Sequence, residues 1–307
     1  MIAAIASALV PIGLLIGLGQ VLRRMEFVPD AFWPQAERLC YFVLLPALFA
    51  HSLGTADLSA VPIAGLASVV IPTTILVSLA LVLLAPRLAR DGAAFTSVFQ
   101  GGIRFNNYVG ITAALALFGP PAIALAAVAN AAIVPTVNVL CVLIFARFGA
   151  ARPSLSGILR GILSNPLIVG CAIGIALQVA GIRIPATLFG AVGALGQASL
   201  PLGLLCVGAA LDFSQARSAL RPVVLSSVAK FAAMPATAAI LCLAFGLDGL
   251  AASVAILFMA LPTASSSYVM ARQLGGDAPL MATIVAVQTI LAILTLPPAI
   301  LLAKALA

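Results

Sequence analysis

The sequence predicts an all-α integral membrane protein, with ten transmembrane helices in two inverted five-helix repeats and with helices 4 and 9 broken and crossing. Three observations predict it. Of the 307 residues, 64% are hydrophobic and 7% charged, whereas a soluble domain is about 45–50% apolar and about 25% charged. Apolar stretches of spanning length recur ten times, and the prolines and glycines of the second half echo those of the first in order. So few charges cannot cover a water-soluble globule of this size, which excludes disorder, fibres and a cytosolic enzyme. The net charge of +7 would suggest nucleic acid in a soluble protein. Here the basic residues sit in short loops between apolar stretches, so the expected partner is the lipid bilayer and no nucleic acid is expected.

The stretches are Ile2 to Leu22, Leu39 to Leu53, Val61 to Leu84, Ala93 to Phe118, Ala122 to Phe145, Ile158 to Ala180, Leu188 to Leu211, Val223 to Phe245, Leu250 to Leu274 and Leu280 to Leu302. Most exceed the roughly 20 residues that a bilayer core requires. The second is shorter and is expected to extend into the flanking FWPQAER, with Trp33 near the interface. The opening MIAAIASALVPIGLLIGLGQVLRRM carries its arginines after the apolar run, unlike a signal peptide, and is expected to remain as the first span. No stretch alternates every second residue as barrel strands do, so helices are the spanning option. Five cysteines, Cys40, Cys141, Cys171, Cys206 and Cys242, lie in apolar stretches without metal-binding spacing. They read as packing residues, and no cofactor or metal is expected.

Loops 1, 3, 5, 7 and 9 hold Arg23, Arg24, Arg38, Arg87, Arg90, Arg147, Arg152, Arg160, Arg217, Arg221 and Arg272, against Arg183 and Lys304 on the other side. The positive-inside rule therefore places the odd loops in the cytoplasm and both termini outside a cell membrane. Gly13xxxGly17 recurs as Gly170xxxGly174, Pro46 as Pro201, Pro62 as Pro222, Tyr108-Val109 as Tyr268-Val269 and Pro135 as Pro297. An odd number of helices per unit makes the two copies enter from opposite sides, which agrees with the charge count. The expected organisation is residues 1–146 as the first repeat, 147–157 as a cytoplasmic connecting loop and 158–307 as the inverted second repeat. Inverted repeats point to a secondary transporter.

In span 4, Gly101, Gly102, Arg104, Asn106 and Asn107 interrupt an apolar helix; in span 9, Pro262, Thr263, Ser265, Ser266 and Ser267 do. Arg104 is about 16 Å in from Ala93, and Pro262 about 18 Å in from Leu250. Both lie near the centre of a core about 30 Å thick. Gly101, Gly102 and Pro262 are the expected breakers, and Asn, Ser and Thr suit the caps of new helices. Two helix N-termini facing one another there would make an anion site. A mid-membrane arginine costs about 2.5–3.5 kcal/mol. No Asp or Glu is expected inside a span, which leaves the substrate as the partner of Arg104.

The expected substrate-binding set is Arg104, Asn106, Asn107, Thr263, Ser265 and Ser266, with Asn130, Asn138, Gln288 and Thr289 either lining the cavity or joining helices. Lys230 either snorkels to the interface or switches charge in place of a bound cation, and His51, the only histidine, is the other coupling candidate. Asn165-Pro166 reads as a helix kink. The GxxxG pairs suggest close packing or a dimer seam.

The two breaks, RFNNYVG and MALPTASSSYVMA, together with VGAALDF ending span 7 and TLPPAILL ending span 10, resemble the auxin efflux carrier family. That family includes plant auxin exporters and bacterial malonate or malate permease-like carriers. The resemblance implies a fold like the bile-acid sodium symporters, with spans 1, 2, 6 and 7 as scaffold and 3–5 with 8–10 as a moving domain. It also implies an elevator-like motion and a homodimer. Where the plant carriers have a Pro-Asn-Thr crossing this sequence has Arg104-Phe105-Asn106, and their long cytoplasmic loop is absent. The expected function is secondary transport of a small organic anion, a mono- or dicarboxylate such as malonate or malate, and not enzymatic catalysis. A sodium-coupled bile-acid-type symporter and a non-transporting membrane sensor or scaffold are the alternatives.

Overall fold

A computed structural model describes residues 2–56, 61–89, 91–149, 164–182, 184–213 and 219–305. Every described regular element is helical. In chain order they are α1 (Ile2–Arg24), α2 (Phe32–Thr55), α3 (Ile63–Leu83), α4 (Gly92–Ile103), α5 (Asn107–Phe118), α6 (Pro121–Phe148), α7 (Pro166–Val179), α8 (Ala186–Ala209), α9 (Leu220–Phe245), α10 (Gly249–Met259), α11 (Ser266–Leu274) and α12 (Ala278–Ala305), with a single turn at Ala85–Leu88. Among the described residues six helices, α2, α3, α6, α8, α9 and α12, are long and apolar enough to cross a membrane. Helices α4 with α5, and α10 with α11, fill expected spans 4 and 9 in two pieces each. The first residues of expected span 6, positions 150–157 of the expected connecting loop, Asp57, and Arg90, Arg152, Arg160, Arg183 and Arg217 of the charge count lie outside the described residues.

Span 2 extends into FWPQAER as expected, helix α2 starting at Phe32 and running 24 residues; this places Glu37 inside the span and corrects the expectation that no Asp or Glu lies within one. Pro34 stands in its first turn, where a missing N–H leaves no bond unmade. Trp33, Ala36 and Cys40 then recur on one buried face at helical spacing. Trp33 and Ala36 pack with Cys206 and Ala209 of α8.

Asparagines start two of the interior helices. The Asn106 side chain accepts from the N–H groups of Tyr108 and Val109 at 3.0 and 3.2 Å, and Asn165 accepts from Leu167 and Ile168 at 3.0 and 3.4 Å. Each satisfies donors that lipid could not. Asn165-Pro166 is therefore the beginning of α7, not a kink within a helix, with Pro166 at the first helical position where proline fits best. Helices α2 and α9 each contain a π-helical turn, Cys40–Leu44 and Ala229–Ala233, followed two residues later by Pro46 and Pro235. A proline ring clashes with the carbonyl four residues back, and the wider π turn accommodates it.

The helices pack in two groups. Helix α1 lies on α8, and the second half of α2 lies on α7 and α8. Helices α3, α4, α6, α9, α10, α11 and α12 pack mainly on one another, and α5 and α6 also touch the first group. Glycine contacts set the close approaches of the first group, as expected where apolar surface alone cannot drive helices together in lipid. A Cβ on Gly170 would stand 2.7 Å from the Cα of Pro46, one on Gly174 2.8 Å from the Ala50 carbonyl, and one on Gly196 2.6 Å from the Cα of Leu48. The second GxxxG pair is thus filled by α2 of the same chain, which removes it as a dimer seam.

Gly170→Leu forces backbone against backbone and is expected to cost about 1–3 kcal/mol, read as a lowered Tm of the detergent-purified protein. Gly17→Ala is the control. A Cβ there meets nothing within 4 Å, so Tm is expected to stay level or rise slightly.

Candidate functional site

Two interrupted helices meet at the centre of this arrangement. Helix α4 ends at Ile103, residues 104–106 are extended, and α5 begins at Asn107. Helix α10 ends at Met259, and α11 begins at Ser266 after an irregular 260–265. The Asn106 N–H donates to the Pro262 carbonyl at 2.8 Å, which ties one break directly to the other. The first break lies beyond the expected glycines, because Gly101 and Gly102 are still helical. Their role is close packing: a Cβ on Gly101 would stand 2.6 Å from Ile284, and one on Gly102 2.8 Å from Leu81 and 3.3 Å from Ala229.

Gln288 of α12 clamps the crossing from behind. Its Oε1 accepts from the Thr263 N–H at 3.1 Å, and its Nε2 donates to the Gly101 carbonyl at 3.1 Å. Those backbone groups are orphaned by the breaks, and the side-chain amide supplies one acceptor and one donor in their place. The Thr263 hydroxyl lies 3.4 Å from the Gln100 carbonyl and 3.2 Å from the Ser267 hydroxyl. Gln288 and Thr263 are fully buried, and neither faces the cavity described next.

A cavity of about 860 Å³ opens beside the crossing, between the two helix groups. One wall is α2 from Pro34 to Leu45 with Ser164, Asn165 and Pro166. The other is Arg104 to Tyr108, Asn138 and Val142 of α6, and 264–274 around α11. Of the expected substrate-binding set, Arg104, Asn106, Asn107, Ser265 and Ser266 line it, as does Asn138. Asn130, Thr289, Lys230 and His51 stand elsewhere. Asn130 is buried and donates to the Ala126 carbonyl at 3.1 Å, and Thr289 bonds back to Val285 at 2.7 Å. The His51 ring packs on Phe189 with centroids 4.7 Å apart, beside Gly193. Lys230 lies in the π turn of α9 at 0% exposure, with no hydrogen-bond partner for Nζ among the described residues. At that burial it does not snorkel.

Arg104 is held by neutral groups. Nη1 donates to Asn138 Oδ1 at 3.0 Å and approaches Met270 Sδ at 3.7 Å, and Nη2 donates to Ser266 Oγ at 3.1 Å. Its Nε, Asn107 Oδ1 and the Tyr108 hydroxyl have no partner among the described residues. No carboxylate pairs with the guanidinium; the one ion pair among the described residues is Arg23 with Asp30 at 3.2 Å. The site therefore presents a fixed positive charge, amide and hydroxyl groups, and apolar walls from Phe42, Leu45, Val142, Val269 and Leu274.

Three lining side chains were not anticipated from the sequence: Glu37, Arg38 and Tyr41 of α2. The Ser265 hydroxyl donates to the Glu37 carboxylate, and Asn165 Nδ2 donates to the Tyr41 hydroxyl at 3.2 Å. With the second span extended through FWPQAER, the spacing of Glu37 and Tyr41, one turn apart beside the buried face, is the signal that could have pointed to them.

Residues 150–300 match the model of a family described as membrane transport protein. A membrane transport domain is thus present over the half of the chain that holds MALPTASSSYVMA, and with the apolar helices it marks a multi-pass membrane protein. Among curated proteins nothing matches.

Gln288→Leu keeps the volume and removes both clamps. It leaves the Thr263 N–H and the Gly101 carbonyl unpaired, at about 1–3 kcal/mol for each buried group. The expected outcome is a lowered Tm together with faster hydrogen exchange at the Thr263 amide.

Proposed function

We propose that the chain is a secondary carrier for a small organic anion, a mono- or dicarboxylate such as malonate or malate, bound at the crossing of the two breaks. The observation that carries this reading is Arg104: a guanidinium at the crossing, lining a cavity, held by Asn138 and Ser266 and paired with no carboxylate. An unneutralised charge at that depth is costly, and an anionic ligand offers the missing counter-charge through charge-assisted bonds. The N-termini of α5 and α11 add positive potential at the same place.

The two helix groups support alternating access. The cavity lies between them, so a shift of one group against the other would change which side it opens to. In this reading α1, α2, α7 and α8 stay fixed and the remainder carries the substrate, in two inverted five-helix repeats. That Arg38, after loop 1, and Gln273 and Leu274, before loop 9, line the cavity supports an opening toward loops 1 and 9, the side that the positive-inside rule assigns to the cytoplasm.

Uptake of labelled carboxylates into proteoliposomes tests the reading. Arg104→Ala is expected to lower apparent affinity by ten- to a hundredfold, the weight of one charge-assisted contact of roughly 1.5–3 kcal/mol, and Asn106→Ala to lower uptake by removing the side-chain cap of α5. Undiminished uptake in both variants would remove this site from the transport path. Flux that requires sodium would favour the bile-acid-type symporter instead.

A further inference from the structure

Among the described residues Glu37 is the one carboxylate on the cavity wall, and it stands on the opposite helix group from the breaks. Its bond is to Ser265, the N-cap residue of α11. A serine in that position ordinarily accepts from the backbone of its own helix. Here it makes no such cap and turns its hydroxyl to the carboxylate. The donor that would meet a substrate carboxylate at the start of α11 is thus engaged by a carboxylate of the protein.

The other charged and titratable groups around Glu37 among the described residues are few. Helix α2 itself presents Arg38, Cys40 and Tyr41; Arg104 and Tyr108 face it across the cavity; and Cys206 faces it from α8. From α7 and α11 come the uncharged Asn165, Ser265 and Ser266. Neither arginine forms an ion pair with Glu37. Arg104 is engaged with Asn138 and Ser266, and Arg38 lies over the Phe42 ring at 6.0 Å.

We propose that Glu37 is a tethered stand-in for the substrate, holding the Ser265 donor while the cavity is empty and giving it up, with uptake of one proton, when an anion binds. This rests on the anion-carrier reading. Two carboxylates at one donor set cannot both remain ionised without a further cation. The proton comes from bulk solution onto a Glu37 carboxylate oxygen, the incoming anion takes the Ser265 hydroxyl, and the net charge of the cavity is unchanged. Binding of a monoanion is then electroneutral. The same exchange releases α11 from α2, so an empty carrier is tied across its two groups and a loaded one is not.

The test is proton uptake by the full-length protein in weakly buffered detergent at pH 7, read with an indicator dye while acetate or methanesulfonate is added. Methanesulfonate stays ionised at every pH used, so its own protonation cannot contribute. The expected result is about one proton taken up per anion bound by the wild type. Glu37→Gln is expected to take up none and to bind about tenfold more tightly, since a competitor for the donor is gone, and Glu37→Asp to restore uptake. Anion binding by the wild type without a proton, or an equal proton count in Glu37→Gln, overturns the inference and leaves the carrier reading standing. No anion binding by the wild type or any variant overturns both. Should Glu37→Gln fail to fold, the wild-type proton count still decides.

Discussion

Every unpaired backbone group inside a bilayer must find its partner within the protein, and the rest of this structure is arranged around the one place where two helices stop short. In an unbroken helix the groups near residues 101–106 and 260–265 would bond four residues along. Here they do not, and lipid offers nothing in exchange. The Asn106–Pro262 bond, the Asn106 side chain and the Gln288 amide take over that work. Because Gln288 comes from α12, the crossing closes only when three separate stretches of chain are in place. Such a junction is rigid, and its rigidity lets the cavity beside it present fixed donors.

The glycines and π turns serve the same end. Gly101 and Gly102 bring α4 against Ile284, Leu81 and Ala229, so the junction is wedged between α3, α9 and α12. In the other group, Gly170, Gly174 and Gly196 let α7 and α8 approach the backbone of α2. Close packing within each group and a cavity between them concentrate whatever freedom of movement exists at the boundary. Glu37 and Ser265 meet across that boundary.

Much of this was legible in the sequence, because apolar length and helix-breaking residues act locally. The RFNNYVG and MALPTASSSYVMA stretches showed where helices would break, since Asn, Pro and Ser have backbone consequences within a few residues. What escaped was non-local. Gln288 is one amide in an apolar helix, and nothing in its neighbours tells that it faces two orphaned backbone groups and not a solute. Glu37 was counted among residues in loops or at helix ends, although the expected extension through FWPQAER carries it into the span, and nothing local shows that it meets Ser265 across the cavity. Lys230 read from the sequence as shallow enough to snorkel, whereas it is fully buried within α9. Gly101 and Gly102 illustrate the converse: glycine next to a break invites the inference that it makes the break, whereas the helix persists through both and the missing Cβ atoms make room for neighbours.

The electrostatics of the cavity then follow from a single imbalance. Arg104 brings one fixed charge to the crossing, and the N-termini of α5 and α11 add potential of the same sign. Left alone in a low-dielectric setting such a site would be costly whenever no ligand is bound. A carboxylate on the facing wall offsets that cost without forming a closed ion pair. It lines the same cavity as Arg104 and is held by Ser265, a hydroxyl that a stronger competitor can claim. A direct Glu37–Arg104 pair would neutralise the site more fully, but an incoming anion would then have to break a charge-to-charge contact before making its own. Placing the counter-charge one donor away keeps the empty site tolerable and the filled site reachable.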